Sequence, residues 1–193
     1  MAQVRPMRAD ARRNHERLLK VAVEAFAEHG ESASLDDIAR RAGVGSGTLY
    51  RHFPTRRALL EAAYLDRIEA LVARADRLAA ERPPGEALGE WLYELGVGMI
   101  RMRGLKALLG PAVTEGDSAV TTACGDSVRS AAGRLVRAAQ EEGTLRRDVE
   151  PIDVLRLTHG VATASELADG EGRHIRRYLG LLLEGLEPRA RAH

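Results

Sequence analysis

The sequence predicts an all-α protein of about nine helices. Apolar residues recur at intervals of three and four along most of the chain, and no alternating apolar and polar run of useful length appears. Glycines and prolines end the periodic segments, as they do at the ends of helices. Of the 193 residues, 45% are apolar and 30% are charged, which is enough for a buried core beneath a charged surface.

The net charge is only +1, but the charged residues are unevenly distributed. Residues 1–57 carry eleven Lys/Arg against seven Asp/Glu, whereas residues 58–193 carry eighteen against twenty-one. No general affinity for polyanions follows from the net charge, but the basic excess lies in the N-terminal part.

The composition also indicates a compartment. Cys124 is the only cysteine, so no intrachain disulfide can form, as is usual in reducing surroundings. No apolar run approaches the ~20 residues that a membrane span needs, and the first residues lack the apolar stretch of a signal peptide. We therefore expect a cytoplasmic protein with no membrane partner, and we interpret Cys124 as a small buried apolar group.

The first helix is predicted from residue 10 to residue 29. Its predicted buried stripe comprises Leu19, Ala22, Val23 and Phe26. Two interpretations stay open for Arg5 and Arg8 in the preceding arm: contacts with DNA, or a solvated tail.

Residues 34–53 have the pattern of a helix-turn-helix motif. Ser34 is expected to cap the first short helix and to begin a capping box, and Gly43 ends that helix. Ser46 is expected to cap the second helix, which Pro54 stops. The second helix leaves an aromatic side chain and several hydrogen-bond donors for a partner, which is the mixture that a DNA-reading helix needs. A purely structural helical hairpin with a solvated face is the alternative.

A long helix follows at residues 55–82, which Pro83-Pro84 ends. It leaves directly from the motif and is the expected mechanical link to the rest of the chain. The remaining helices are predicted at residues 86–103, 105–109, 118–142, 151–168 and 172–186.

The N-terminal third resembles the DNA-binding domain of the tetracycline-repressor (TetR/AcrR) family of bacterial regulators. The matching stretches run from Leu18 to Gly30, from Ser34 to Val44 and from Gly47 to Leu60. The resemblance implies a DNA-binding domain at residues 10–71 and a ligand-binding and dimerisation domain at residues 72–193.

The resemblance also implies a homodimer that places two recognition helices in successive major grooves of a palindromic operator, roughly 34–36 Å apart. Arg51 is expected to meet base edges, while most of the other contacts reach phosphate or sugar. Asp36 stands where relatives often carry a basic or polar reader, so it either accepts from a cytosine amine or stays out of the interface. The predicted DNA-binding residues are Ser34, Gly47, Thr48, Tyr50, Arg51, His52, Arg56 and Arg57.

A small apolar or weakly polar effector is expected to bind the C-terminal domain and release the operator, since few charges point there. Each candidate residue has plain core packing as its alternative, and His159 is the candidate polar anchor. The predicted pocket comprises Trp91, Leu95, Met99, Met102, Leu105, Leu108, Leu109, Val128, Thr158, His159 and Ala162.

The last helix carries a wide apolar face, which either packs inside the subunit or pairs with a second copy. The resemblance favours a four-helix bundle made by the last two helices of each subunit. The residues predicted for this interface are Leu155, Ile175, Tyr178, Leu179, Leu182, Leu183 and Leu186.

Nothing in the sequence indicates an enzyme. It contains no nucleophile elbow, Gly-rich phosphate loop, His-Glu-x-x-His motif or paired metal ligands, so we expect neither cofactor nor metal. The sequence therefore predicts a ligand-responsive transcriptional repressor. The alternatives are a helical DNA-binding or partner-binding protein without ligand control, and an activator.

Overall fold

The computed structural model describes residues 5–114 and 123–188. Within these ranges it has nine α-helices and no strand, which confirms the all-α prediction. A short 3₁₀ helix, Gly30–Ser32, follows the first α-helix. The α-helices are α1 (Arg5–His29), α2 (Leu35–Arg41), α3 (Ser46–His52), α4 (Arg56–Glu81), α5 (Pro84–Arg101), α6 (Arg103–Thr114), α7 (Ala123–Glu142), α8 (Pro151–Asp169) and α9 (Ile175–Gly185).

The chain forms two compact units. The first unit contains the chain up to Leu65 together with Arg103–Leu108, and the second contains Asp66–Met102 and the chain from Leu109 onward. Helices α4 and α6 therefore each contribute residues to both units. The predicted domains at residues 10–71 and 72–193 differ from these units in two ways: their boundary follows residue 71 instead of Leu65, and they leave the start of α6 in the second domain.

In the first unit, α1 packs on α2, and α2 packs on α3. Helix α1 buries Leu18, Ala22 and Phe26, whereas Leu19 is half-buried and Val23 is 36% exposed. Ala22 and Phe26 therefore confirm half of the predicted stripe, whereas Leu18 and Ala25 are buried in place of Leu19 and Val23. The observed stripe includes small alanines, which allow the neighbouring helices to approach closely.

The turn between α2 and α3 is a Schellman motif. Gly43 has a φ of 65°, in the left-handed region that glycine tolerates, and the N–H of Val44 donates to the Ala39 carbonyl at 3.0 Å. Gly45, with extended φ and ψ of −70° and 144°, is the N-cap of α3. Ser46, predicted to be the cap, is instead the first residue inside the helix, because the extended backbone ends one residue earlier.

Helix α5 is the centre of the second unit, where it contacts α7, α8 and α9. The Trp91 side chain is fully buried, and its Nε1–H donates to the Leu71 carbonyl of α4 at 3.0 Å. A Cβ at Gly96 would collide with the Ile175 side chain, so this glycine allows α5 and α9 to pack closely.

Two helices are longer than predicted. Helix α1 begins at Arg5, and α6 continues through Gly110 and Pro111 to Thr114 instead of ending at Leu109. A proline inside a helix removes one hydrogen bond at a cost of about 3 kcal/mol, which burial of the leucines of α6 offsets. The predicted start of α7 at residues 118–122 lies outside the described residues. No helix in the described ranges is long and apolar enough to cross a membrane.

Candidate nucleic-acid interface

Helix α3 presents one side to the protein and the opposite side to solvent. Leu49 is fully buried and anchors the helix, while Gly47, Tyr50 and Arg51 are exposed. The Tyr50 side chain is 43% exposed, although it is large and partly apolar. An exposed aromatic ring beside a cation is the combination that can pack on sugar and donate to base edges or phosphates.

Arg51 lies along the outside of its own helix. Its Nε donates to the Gly47 carbonyl at 3.3 Å, and one terminal nitrogen donates to the Thr48 hydroxyl at 3.2 Å. Thr48 is half-buried, so its side chain is less mobile than the arginine it holds. The structure therefore brings the predicted residues Gly47, Thr48 and Arg51 together on one turn.

His52 lies at the end of α3 in a cluster of rings. Its imidazole is 6.1 Å from that of His15 in an edge-on arrangement, and His15 stacks on Phe53 at 5.4 Å. His52 itself is exposed, so it remains available to a phosphate. His15 was not predicted to take part, and its place in α1 supports the end of α3.

Ser34 caps α2 as predicted, since its Oγ accepts from the N–H of Asp37 at 3.3 Å. The predicted capping box is only half formed, because the Asp37 carboxylate accepts from Arg40. The Ser34 side chain and Asp36 in the first turn are both exposed. A hydroxyl at an exposed helix N-terminus is a suitable contact for a phosphate.

The arginines that begin α4 are less exposed than the sequence suggested. Arg56 donates to the Ala33 carbonyl, which ties the start of α4 to the segment before α2. Arg57 is 30% exposed and lies 3.9 Å from the Glu61 carboxylate. This bond uses one of the five N–H donors of Arg56, so the others remain for the expected phosphate contact.

The sequence analysis missed the residues that fix the motif against α1. The Arg17 Nε donates to the Ala42 carbonyl at the end of α2, at 2.6 Å. Arg41 makes a bidentate pair with Glu28 at 2.9 and 3.2 Å, and this hydrogen bonding holds the pKa of the Glu28 carboxyl below its ordinary value. Long side chains that reach another helix leave no periodic pattern, so no feature of the sequence identifies them.

Among the described residues, the predicted pocket residues are divided between the two units, and four of them line a small cavity. Leu105 and Leu108 belong to the first unit, and Trp91 uses its only polar atom in the hydrogen bond to α4. In the second unit, a cavity of about 10 Å³ offers room for roughly one water molecule. Four predicted residues line it with three others: Leu95, Met99, Leu109 and Val128, with Gly125, Arg129 and Leu155.

The other predicted pocket residues of the second unit do not line this cavity and differ in burial. Ala162 is buried, whereas Met102 and His159 are half-buried. Thr158 is fully buried, and its hydroxyl has no hydrogen-bond partner among the described residues. An unsatisfied buried hydroxyl costs free energy, which a hydrogen bond to Thr158 would recover.

A larger groove of about 520 Å³ opens on the surface of the second unit, along α5 and α9. In this groove, Arg176 makes a bidentate contact with Glu90 at 3.0 and 3.1 Å and lies 3.7 Å above the Tyr93 ring. The sequence did not predict this groove. No group of metal-ligating side chains occurs within the described residues.

The apolar face of the last two helices divides into an inner and an outer part. Leu155, Ile175 and Leu179 are at most 2% exposed and lie in the core of their own subunit, so they cannot reach a partner. Tyr178 and the leucines Leu182, Leu183 and Leu186 are half-buried. Three leucines that were not predicted are more exposed than these residues. They are Leu157, Leu167 and Leu181, which are 39%, 83% and 57% exposed.

Two family models match the chain. Residues 18–63 match the model described as bacterial regulatory proteins of the tetR family. Residues 83–188 match the model of the C-terminal domain of SbtR-like transcriptional regulators. The first match contains the whole helix-turn-helix, and the second contains α5 to α9.

Solved structures agree with these matches. A TetR transcriptional regulator from Streptomyces coelicolor is 37% identical, with 91% of this chain and 99% of that one covered and a TM-score of 0.58. A TetR transcription regulatory protein from Mycobacterium vanbaalenii is 35% identical, with coverage of 95% and 100% and a TM-score of 0.50. A helix-turn-helix-type transcriptional regulator of Staphylococcus aureus is 48% identical over 48 residues, which are 24% of this chain. The match spans about a quarter (26%) of the length of that relative.

Proposed function

Because this chain belongs to the TetR family of bacterial transcriptional regulators, a family of DNA-binding proteins and not of enzymes, we propose that it binds a palindromic operator as a homodimeric repressor. The observation that carries this proposal is the outer face of α3, on which Gly47, Tyr50 and Arg51 are all exposed to solvent. A helix with this face fits the major groove. Bacterial operators lie in the cytoplasm, which is the compartment expected from the sequence.

In this proposal, Arg51 and Gly47 approach base edges and Tyr50 packs on the sugar-phosphate backbone. Ser34, Thr48, His52 and the arginines that begin α4 contact phosphate or sugar, as the family resemblance implies. The Ala33 carbonyl holds one N–H of the Arg56 guanidinium and leaves the other donors for phosphate.

Genome-wide footprinting with the purified protein, beginning with its own promoter, tests the proposal. We expect protection of a palindrome with half-sites one helical turn apart. The double variant Tyr50→Ala/Arg51→Ala should lose this protection, while Arg134→Ala, an exposed arginine of α7, should keep it. Equal protection by the double variant would remove α3 from the function.

The dimer is proposed to form through the outer faces of α8 and α9. Leu157 and Leu181 are exposed there, and no atom lies within 4 Å of a Cβ placed at Gly160 or Gly185. Exposed leucines next to open glycine positions allow another helix to come close. A two-fold axis through this face produces the symmetry that a palindromic operator requires.

Sedimentation measures this interface directly. Leu181→Glu places a charge in the proposed contact and should shift the protein to monomers. Leu65→Glu, at a leucine of α4 that is 45% exposed, is the matched control and should leave the assembly unchanged. A stable Leu181→Glu dimer would require a different interface.

Ligand control is proposed to act on the interior of the second unit around Leu95, Met99 and Val128. An effector that binds better in the conformation that does not fit the operator shifts the population toward that conformation. Helices α4 and α6 both contain residues of each unit and are the candidate connections. An apolar or weakly polar effector suits the aliphatic lining, with the Thr158 hydroxyl available for one polar group.

The small volume of this cavity favours a second candidate function, a DNA-binding regulator without ligand control. Val128→Ile distinguishes the two. It adds one methylene at the wall of the cavity and should reduce release of the operator by cell extracts that release the unmodified protein, with operator affinity unchanged. If no extract fraction releases the unmodified protein, the result favours the second candidate.

A further inference from the structure

We propose that Arg51 reads a guanine in each half of the operator and that Thr48 positions the Arg51 guanidinium for this contact. The inference rests on the proposed function, since it concerns the same face of α3. It adds the identity of one base and a role for Thr48 that differs from the phosphate contact implied by the family resemblance.

Arg51 is the exposed arginine of α3, and it has no ion-pair partner among the described residues. No carboxylate of the described residues pairs with it, whereas Arg41 is bound by Glu28 on the neighbouring helix. Arg56 donates to a backbone carbonyl, and Arg57 lies beside Glu61. The recognition helix therefore offers one guanidinium whose charge no side chain of the described residues compensates.

The two hydrogen bonds that Arg51 does make hold its side chain without using up its donors. Nε–H binds the Gly47 carbonyl, and one terminal nitrogen binds the Thr48 hydroxyl. A guanidinium has five N–H donors, so three remain for a partner. Because Thr48 is half-buried, the arginine loses less conformational entropy on binding DNA than an untethered one would.

These remaining donors suit guanine better than the other bases. Guanine presents two acceptors, O6 and N7, on its major-groove edge, and an arginine fork can donate to both. Adenine presents N7 beside an amine, which would face the guanidinium donor to donor. Gly47, one turn before Arg51, has no side chain and nothing within 4 Å of its Cβ position, so the base edge can approach.

Selection from a pool of duplexes with a random centre of roughly 30 base pairs, using the full chain, tests the base identity. We expect a guanine at one position of each half-site. Replacing that G·C pair by A·T should weaken binding by roughly 5- to 150-fold, the discrimination that one bidentate pair provides. Arg51→Ala should bind both duplexes equally.

Arg51→Lys separates base reading from phosphate binding. Lysine keeps the charge but lacks the fork, so it should lose the guanine preference while the dependence of affinity on salt stays the same. If Arg51 instead binds a phosphate, Arg51→Lys keeps the selected sequence, and Arg51→Ala weakens all duplexes equally. Either of those results would overturn the inference.

Variants that remove or keep the Thr48 hydroxyl test its positioning role. Thr48→Val should reduce the preference for guanine, and Thr48→Ser should restore it. In the Arg51→Ala background, Thr48→Val should cause no further loss of discrimination, because the two residues act through one contact. An equal loss of affinity for all duplexes in Thr48→Val would assign Thr48 to phosphate and contradict a positioning role.

The outcome for the unmodified protein separates this inference from the proposed function. If the protein selects no sequence, both fail. If it selects a palindrome whose bases are the same for Arg51→Ala, the proposed function stands and the guanine inference is wrong.

Discussion

Arg17→Met tests how strongly α1 holds the helix-turn-helix. The substitution keeps the apolar stem of the side chain and removes the donor that meets the Ala42 carbonyl at 2.6 Å. Ala42 is 1% exposed, so its carbonyl then lacks a partner and lies where water reaches it poorly. Loss of a hydrogen bond of this kind costs about 1–3 kcal/mol of unfolding free energy. Operator affinity should also fall, because the carbonyl immediately precedes the turn into α3.

Urea denaturation followed by two optical signals provides the assay. Trp91 is the only tryptophan and belongs to the second unit, so its fluorescence should change little, while the circular dichroism of the helices should show the earlier loss. Arg12→Met is the control, because Arg12 is 83% exposed and, among the described residues, pairs with Glu16 alone, a contact worth about 0.3–0.5 kcal/mol. Equal losses for the two variants would refute a stabilising role for the Arg17 bond.

Three other predictions concern the same unit. Gly47→Ala should slightly stabilise α3, because the new Cβ meets nothing within 4 Å, yet it should weaken operator binding. The control Gly180→Ala in α9 should stabilise its helix without loss of operator binding. Equal operator binding by both variants would contradict close approach of DNA to Gly47. Operator affinity should fall steeply as salt rises, through release of counterions from phosphates, and a flat dependence in titrations would argue against phosphate contacts. The pKa of Glu28 is lowered by its hydrogen bond to Arg41, so the stabilisation is present above the unfolded pKa and is lost as the pH falls through the folded one. Glu28→Gln should therefore reduce the unfolding free energy at neutral pH but not in acid, and a pH-independent difference would disprove the linkage.

Local rules predicted most of the helices. Gly43 ends α2 in the left-handed conformation because few other residues adopt it without strain, and Pro54 ends α3 because proline disfavours helical backbone before it. Pro111 shows the limit of such rules. The sequence predicted a break at this position, but α6 continues through it, since tertiary packing outweighs the local cost of one proline.

The site was predictable only in part, for a physical reason. The exposed face of α3 follows from helical spacing, because Leu49 must turn inward and Tyr50 and Arg51 then turn outward. Contacts between helices, such as that of Arg17, depend on tertiary distances that spacing does not encode. A buried leucine has the same character whether it fills a core or lines a cavity, so the predicted pocket could not be separated from core packing.

The two sides of α9 have different consequences for which subunits such a regulator pairs with. Ile175 and Leu179 hold the helix in its own subunit, whereas Leu181 stands on the outside. Under the proposed dimer, substitutions at the outer positions alter the choice of partner without disturbing the fold. Duplicated genes can therefore acquire self-pairing proteins through a few changes on this outer surface, and each product can keep its own operator free of mixed dimers.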